Sequence, residues 1–212
     1  MSRKRNSKRF TENPKLLIAT NNQGKLGEIR TILRELDLDL VSPADLGLEL
    51  DVEEDGRTYV ENAAKKALAF SQVSGLTALA DDSGLEVDAL DGRPGLHSNR
   101  FGPQPSTDAS RRAYLLQKLD GIPRPWTARF RATVAIASPG RGVKIVEGVC
   151  PGEIIPEERG TGGFGYDPIF LLKDLRKTMA ELEIEEKNRL SHRGRAVRKA
   201  IPILIELLKN QH

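Results

Sequence analysis

Apolar positions along the chain follow two rhythms. Leu16-Leu17-Ile18-Ala19 is an unbroken apolar run and predicts a buried strand. Leu26, Ile29, Ile32, Leu33 and Leu36 then recur at helical spacing, and Leu38–Val41 predicts a short strand. A second helix carries Ala63, Ala64, Ala67 and Leu68 to about Val73 and stops at Gly75. Thr58-Tyr59-Val60-Glu61 reads as its capping box, with the Thr58 hydroxyl taking the Glu61 N–H and the Glu61 carboxylate taking the Thr58 N–H. Leu76–Ala80 predicts another buried strand, and Leu85–Leu90 alternates apolar and acidic residues. Between them, Asp81-Asp82-Ser83-Gly84 has turn chemistry and predicts a chain reversal.

The second half continues in the same way. Thr107–Leu119 predicts a helix with Ala113, Leu116 and Leu119 inward. Ala128, Phe130, Ala132, Val134 and Ile136 alternate with Arg129, Arg131 and Thr133, the pattern of a half-buried strand. Val143–Val149 is its antiparallel partner across a Pro139-Gly140 turn, in a hairpin that is appended to the main sheet or extends it. Ile169–Leu172 predicts a further strand, and Thr178–Glu181 a second capping box. Val197, Ala200, Ile201, Leu204 and Leu208 share one face of a last helix, which Pro202 is expected to kink.

Composition narrows the classes. A single cysteine, Cys150, excludes an intrachain disulfide and a cysteine-based zinc site. No apolar run reaches the roughly 20 residues that span a bilayer. The +3 net charge is misleading. Residues 1–15 carry six cations against Glu12, a net +5, so subtraction leaves −2 for residues 16–212. Residues 1–14 are expected to be a disordered basic tail, and 15–212 a single catalytic domain. Through that tail, binding to nucleic acid is the alternative from a different functional class.

Three segments carry candidate chemistry. Thr20-Asn21-Asn22-Gln23-Gly24-Lys25 joins a strand to a helix N-terminus, where free N–H groups and the helix dipole favour phosphate. It is no Walker A loop. The Asp81-Asp82 pair could hold Mg²⁺ or take a proton. If extended geometry persists through the pair, only one Asp can face a given site. The acidic stretch Asp51–Asp55 is a candidate metal shell or a solvated loop, and His97 a candidate catalytic group or an exposed side chain. Gly160–Pro168 carries glycines around Phe164 and Tyr166, rings able to stack on a base. Lys187, His192 and Arg193 could hold phosphate or read a base edge. With no visible Ser, Cys or His triad, metal-assisted attack of water on a phosphoanhydride fits these parts.

Thr20–Lys25, Glu61-Asn62-Ala63, Ala80–Leu85, Gly92-Arg93-Pro94-Gly95, Gly163–Pro168 and Ser191-His192-Arg193-Gly194 occur in this order. Over roughly residues 15–208 the chain thereby resembles the Ham1/RdgB-like inosine/xanthosine triphosphate pyrophosphatases. The resemblance implies an α/β fold, an elongated mixed sheet with flanking helices and two lobes around a nucleotide cleft. It implies Mg²⁺-dependent hydrolysis of ITP, dITP and XTP to the monophosphate and pyrophosphate, by a cytoplasmic homodimer without membrane or specific nucleic-acid partners. By motif, Thr20, Asn21, Asn22, Gln23, Gly24, Lys25 and Ser83 would bind substrate, with Lys25 on phosphate. Asp82 would be proton acceptor and metal ligand. Glu53 would be a second metal contact, with Glu54 one register step away. Phe164, Gly165, Tyr166 and Asp167 would shape the base site, completed by Lys187, His192 and Arg193. A Maf-like pyrophosphatase of different base preference is the rival within enzymes.

Overall fold

The computed structural model describes residues 13–209. The tail expected over 1–14 lies almost wholly outside the described residues. Pro14 already belongs to the fold, since its carbonyl accepts the Asp39 N–H at 3.0 Å.

Among the described residues seven strands form one sheet in the order β2-β1-β3-β4-β5-β6-β7. They are β1 (Lys15–Ile18), β2 (Asp39–Val41), β3 (Thr77–Val87), β4 (Trp126–Ala137), β5 (Val143–Ile154), β6 (Phe170–Leu172) and β7 (Lys177–Thr178). β1 pairs parallel with β2 and β3, and the remaining pairs are antiparallel. The hairpin β4–β5 is therefore the middle of the sheet rather than an appendage. Among the described residues five α-helices flank it: α1 (Gln23–Leu33), α2 (Tyr59–Ser74), α3 (Asp108–Leu119), α4 (Ile184–Leu190) and α5 (His192–Lys209).

The expected reversal at Asp81–Gly84 does not occur. β3 runs straight through the acidic pair, with Ala78 opposite Ala137 and Val87 opposite Ala128 on β4. Ser83 and Gly84 are extended and paired with Ala132 and Arg131. Pairing along the whole of a long neighbour overrides local turn preference.

This continuity makes the two lobes. The first half of β3 is covered on both faces. Leu79 packs with Ile29 and Leu33 of α1 and Val197 and Leu204 of α5, while Ala78 and Ala80 pack with Ala63, Ala67 and Phe70 of α2. Ile29 and Leu33 are fully buried and contribute roughly 1.5–3 kcal/mol each. The second half, Leu85 and Val87, enters a different core with Leu115 and Leu119 of α3 and Phe130, Ile169 and Phe170. Asp81 and Asp82 lie where one core hands over to the other.

Two local expectations need correction. In α3 Leu119 and the partly buried Leu116 face the core as expected, but Ala113 is exposed and Leu115 is the further buried residue. Thr58 caps α2 by accepting the Glu61 N–H at 3.1 Å, but the Glu61 carboxylate accepts from Arg57 N at 2.7 Å, one residue earlier than a capping box requires. Pro202 lies inside α5. Pro202 is exposed, so solvent can satisfy the carbonyl it leaves unbonded.

Candidate active site

Strand alternation sends the two acids apart. Asp81 shares the face of Leu79 and meets α1 and α5. Its Oδ2 lies 2.8 Å from Lys25 Nζ and 3.3 Å from Arg193 Nη2, and it accepts the Ser83 hydroxyl at 3.1 Å. Arg193 Nη1 continues to Glu28 of α1 at 2.5 Å, Glu28 to Lys187 at 2.5 Å, and Lys187 to Asp167 at 2.6 Å. Three cations and three carboxylates thus alternate in one buried chain of contacts, each charge matched by an opposite one. Burial alone would push the Asp81 carboxyl up, but Arg193 and Lys25 outweigh it and hold it well below the ordinary carboxylate range.

Asp82 shares the face of Ala80 and meets α2. Its Oδ2 accepts from Asn62 Nδ2 at 3.0 Å and its Oδ1 from Ser83 N at 3.0 Å. No cation forms an ion pair with it among the described residues. Burial, largest of several influences, keeps the Asp82 carboxyl above its ordinary value despite Lys66 and Lys25 nearby. Lys66, one helical turn after Asn62 on α2, bonds Glu54 at 2.7 Å and the Asp81 carbonyl at 2.9 Å. Lys25 reaches the same carbonyl at 3.4 Å. Two ammonium groups therefore converge beside one protonatable carboxyl.

Two chambers flank this point. One, about 200 Å³, is lined by Thr20, Asn21, Asn22, Lys25, Glu54 and Lys66 among others. Asn22 caps α1 by accepting the Lys25 N–H at 3.0 Å, so the loop presents a helix N-terminus there. The other, about 280 Å³, shares Asn22, Lys25 and Asn99 with the first. Gln23, Ser83, Gly165, Asp167, Lys187 and His192 are among its walls. Phe164 is half-buried there, 4.9 Å from Lys187 Nζ and 5.5 Å from the Arg193 guanidinium carbon. Gly24 packs against the Phe164 ring, joining the loop before α1 to the aromatic loop. The His192 imidazole stacks on Phe130 with centroids 4.7 Å apart. Burial pushes its pKa down to about 3, so it is neutral at pH 7, with a buried Nδ1 that has no hydrogen-bond partner among the described residues.

Most of the expected residues line these two adjoining chambers, whereas Asp82 and Gly24 line neither, and three adjustments follow. Glu53 is exposed, whereas Glu54 lines the smaller chamber and bonds Lys66, so the second acid in the cleft is Glu54. Tyr166 is buried with its hydroxyl donating to the Ser98 carbonyl at 2.9 Å, which makes it a wall rather than a free ring face. The donors of Lys187 and Arg193 are largely engaged, with carboxylates and, from Arg193 Nη2, the Ser83 hydroxyl, leaving the third Lys187 proton, one Arg193 Nη1 proton and Arg193 Nε–H. His97 is exposed and accepts from Arg100 Nε at 3.2 Å, apart from both chambers.

Sequence reading missed Lys66 and Glu28. Lys66 was available as the i+4 neighbour of Asn62, and Glu28 as the i+3 neighbour of Lys25. Mg²⁺ characteristically takes one or two carboxylates plus substrate phosphates and water. The donor set fits: Asp82 and Glu54 are hard oxygen ligands beside phosphate-sized cationic surroundings. Among the described residues no group of three or more His, Cys, Asp or Glu could cage an ion alone, so further ligands would come from substrate and water.

The fold defines the class first: a mixed sheet whose long central strands carry the acids between two lobes. A solved HAM1 protein from Coxiella burnetii shares it, with a TM-score of 0.82 and 38% identity over 91% of this chain and 99% of that one. A family model described as the Ham1 family matches residues 16–203, and the chain belongs to that family. The dITP/XTP pyrophosphatase of Desulforamulus reducens is 48% identical over 198 residues, 93% of this chain and 98% of that protein. The dITP/XTP pyrophosphatase of Geobacter sulfurreducens is 49% identical over 184 residues, 86% and 92% of the two chains.

Proposed function

We propose that this chain hydrolyses the deaminated purine nucleotides ITP, dITP and XTP to the nucleoside monophosphate and pyrophosphate, and so cleanses the nucleotide pool. The observation that carries this reading is the Asp82 carboxyl, raised by burial and without an ion pair among the described residues, beside the converging Lys25 and Lys66 ammonium groups. Around it stand an α1 N-terminus suited to phosphate and a half-buried ring suited to a base.

In this reading, Lys25, Lys66 and the first N–H groups of α1 hold the triphosphate and neutralise charge as it moves onto pyrophosphate. Asp82 takes the proton of the attacking water, and its raised pKa makes it the better base. The water oxygen bonds to phosphorus, the bond between the α and β phosphates breaks, and pyrophosphate leaves. Asp82 and Glu54 would hold Mg²⁺, which when bound polarises the phosphoryl oxygens. Phe164 stacks on the base. The remaining donors of Lys187 and Arg193 suit the 6-keto oxygen of hypoxanthine or xanthine and oppose the 6-amino group of adenine. A homodimer in the cytoplasm enters the proposal from the family resemblance.

The test is a substrate panel of ITP, XTP, GTP, dTTP and UTP, each with and without Mg²⁺, read by pyrophosphate release. Turnover of ITP and XTP well above the others is expected. Equal turnover of GTP and ITP would remove the pool-cleansing role, and preference for dTTP or UTP would favour the Maf-like alternative.

A further inference from the structure

The aromatic loop is held from outside by a helix that the proposed chemistry does not use. Gly165 separates Phe164 from Tyr166 and adopts φ +62°, the left-handed region. Its N–H donates to Asp108 Oδ2 at 2.7 Å. Its carbonyl accepts from Arg112 Nη1 at 2.9 Å. Both contacts come from the first turns of α3. The two peptide planes flanking Gly165 are thus fixed by one rigid element, and with them the directions in which Phe164 and Tyr166 leave the backbone.

The clamp is itself braced. Asp108 pairs with Arg111, whose guanidinium also donates to the Ser106 hydroxyl at 3.1 Å. Arg112 makes a two-pronged bond to Glu158, at 2.8 Å from Nε and 2.9 Å from Nη2. A fork of this kind holds a guanidinium in one plane. Helix α3 is pinned by Leu115 and Leu119, both fully buried, and capped by Thr107. Asp108 and Arg111 also border the larger chamber, on the wall that carries Gly165 and Tyr166.

We propose that Asp108 and Arg112 are positioning residues for base recognition: through Gly165 they set the stacking face of Phe164. The inference rests on the nucleotide-hydrolase reading above. Phe164 is remote in role from bond cleavage, so loosening it removes binding shared by ground and transition states. That raises KM and leaves kcat close to wild type.

The test compares wild type with Arg112→Ala, Asp108→Ala and Arg112→Lys in steady-state hydrolysis of ITP, with thermal unfolding of each protein. For either alanine variant a KM rise of about tenfold is expected, the scale of one lost charge-assisted hydrogen bond. Arg112→Lys keeps a cation and a donor and should fall between Arg112→Ala and wild type. A purely structural role would instead lower the unfolding temperature and reduce kcat with KM unchanged, and that result overturns the proposal. So does a wild-type KM in Arg112→Lys together with unfolded alanine variants. A wild type that does not turn over ITP sinks this inference with the function itself, whereas failure confined to the variants sinks the clamp alone.

Discussion

Asp81 and Asp82 are neighbours on one strand whose carboxyls are driven in opposite directions: Asp81 is held down by Arg193 and Lys25, Asp82 is pushed up by burial. One acid is a fully matched member of a buried ion network. The other has hydrogen bonds but no ion pair among the described residues.

Opposite consequences are expected from the same substitution. Asp82→Asn should lose most activity, on the order of 10²–10⁴-fold for a removed general base, while thermal unfolding stays near or above wild type. Asp81→Asn leaves Lys25 and Arg193 short of a buried partner and should destabilise by about 3–5 kcal/mol. The acid limb of stability checks the sign. A carboxyl depressed by folding contributes stability above its unfolded value and loses it as pH falls from about 3.9 through the folded value. Denaturant unfolding of wild type should therefore weaken steeply below about pH 4, and Asp81→Asn should flatten that slope. Asp82, raised on folding, contributes in the other sense, its stabilisation fading as pH rises.

Glu54 and Glu53 separate by exposure. Glu54→Gln should raise the Mg²⁺ concentration needed for half-maximal ITP hydrolysis by about tenfold or more, and Glu53→Gln should not move it. A magnesium titration of both variants decides between the two acids.

Gly24 lies within α1, where alanine is favoured over glycine by about 1 kcal/mol. A Cβ there would stand 2.5 Å from the Phe164 ring, closer than side chains approach, so the ring must shift. Gly24→Ala is thus expected to leave the unfolding temperature unchanged or higher while KM for ITP rises. Calorimetry and kinetics on one preparation show both effects together.

Much of the fold was legible because periodicity reports burial: the buried faces of α1, α2, α5 and the first half of β4 follow their apolar spacing, whereas Ala132–Ala137 of β4 is buried on both faces. The reversal at Asp81–Gly84 was misread because residues 128–137, which hold β3 extended, are distant in sequence. The candidate site residues were named from ordered motifs, but their electrostatics were not legible there. Glu28 reaches Arg193 across 165 positions and Lys66 reaches the Asp81 carbonyl from α2, contacts that no local pattern encodes. Glu53 and Glu54 differ only in which way an irregular segment turns, and that is settled by Lys66.

The most direct measurement is product analysis of ITP hydrolysis with Mg²⁺. If the α–β bond breaks at the Asp82 centre, IMP and pyrophosphate should appear in equal amounts. IDP with orthophosphate would contradict it.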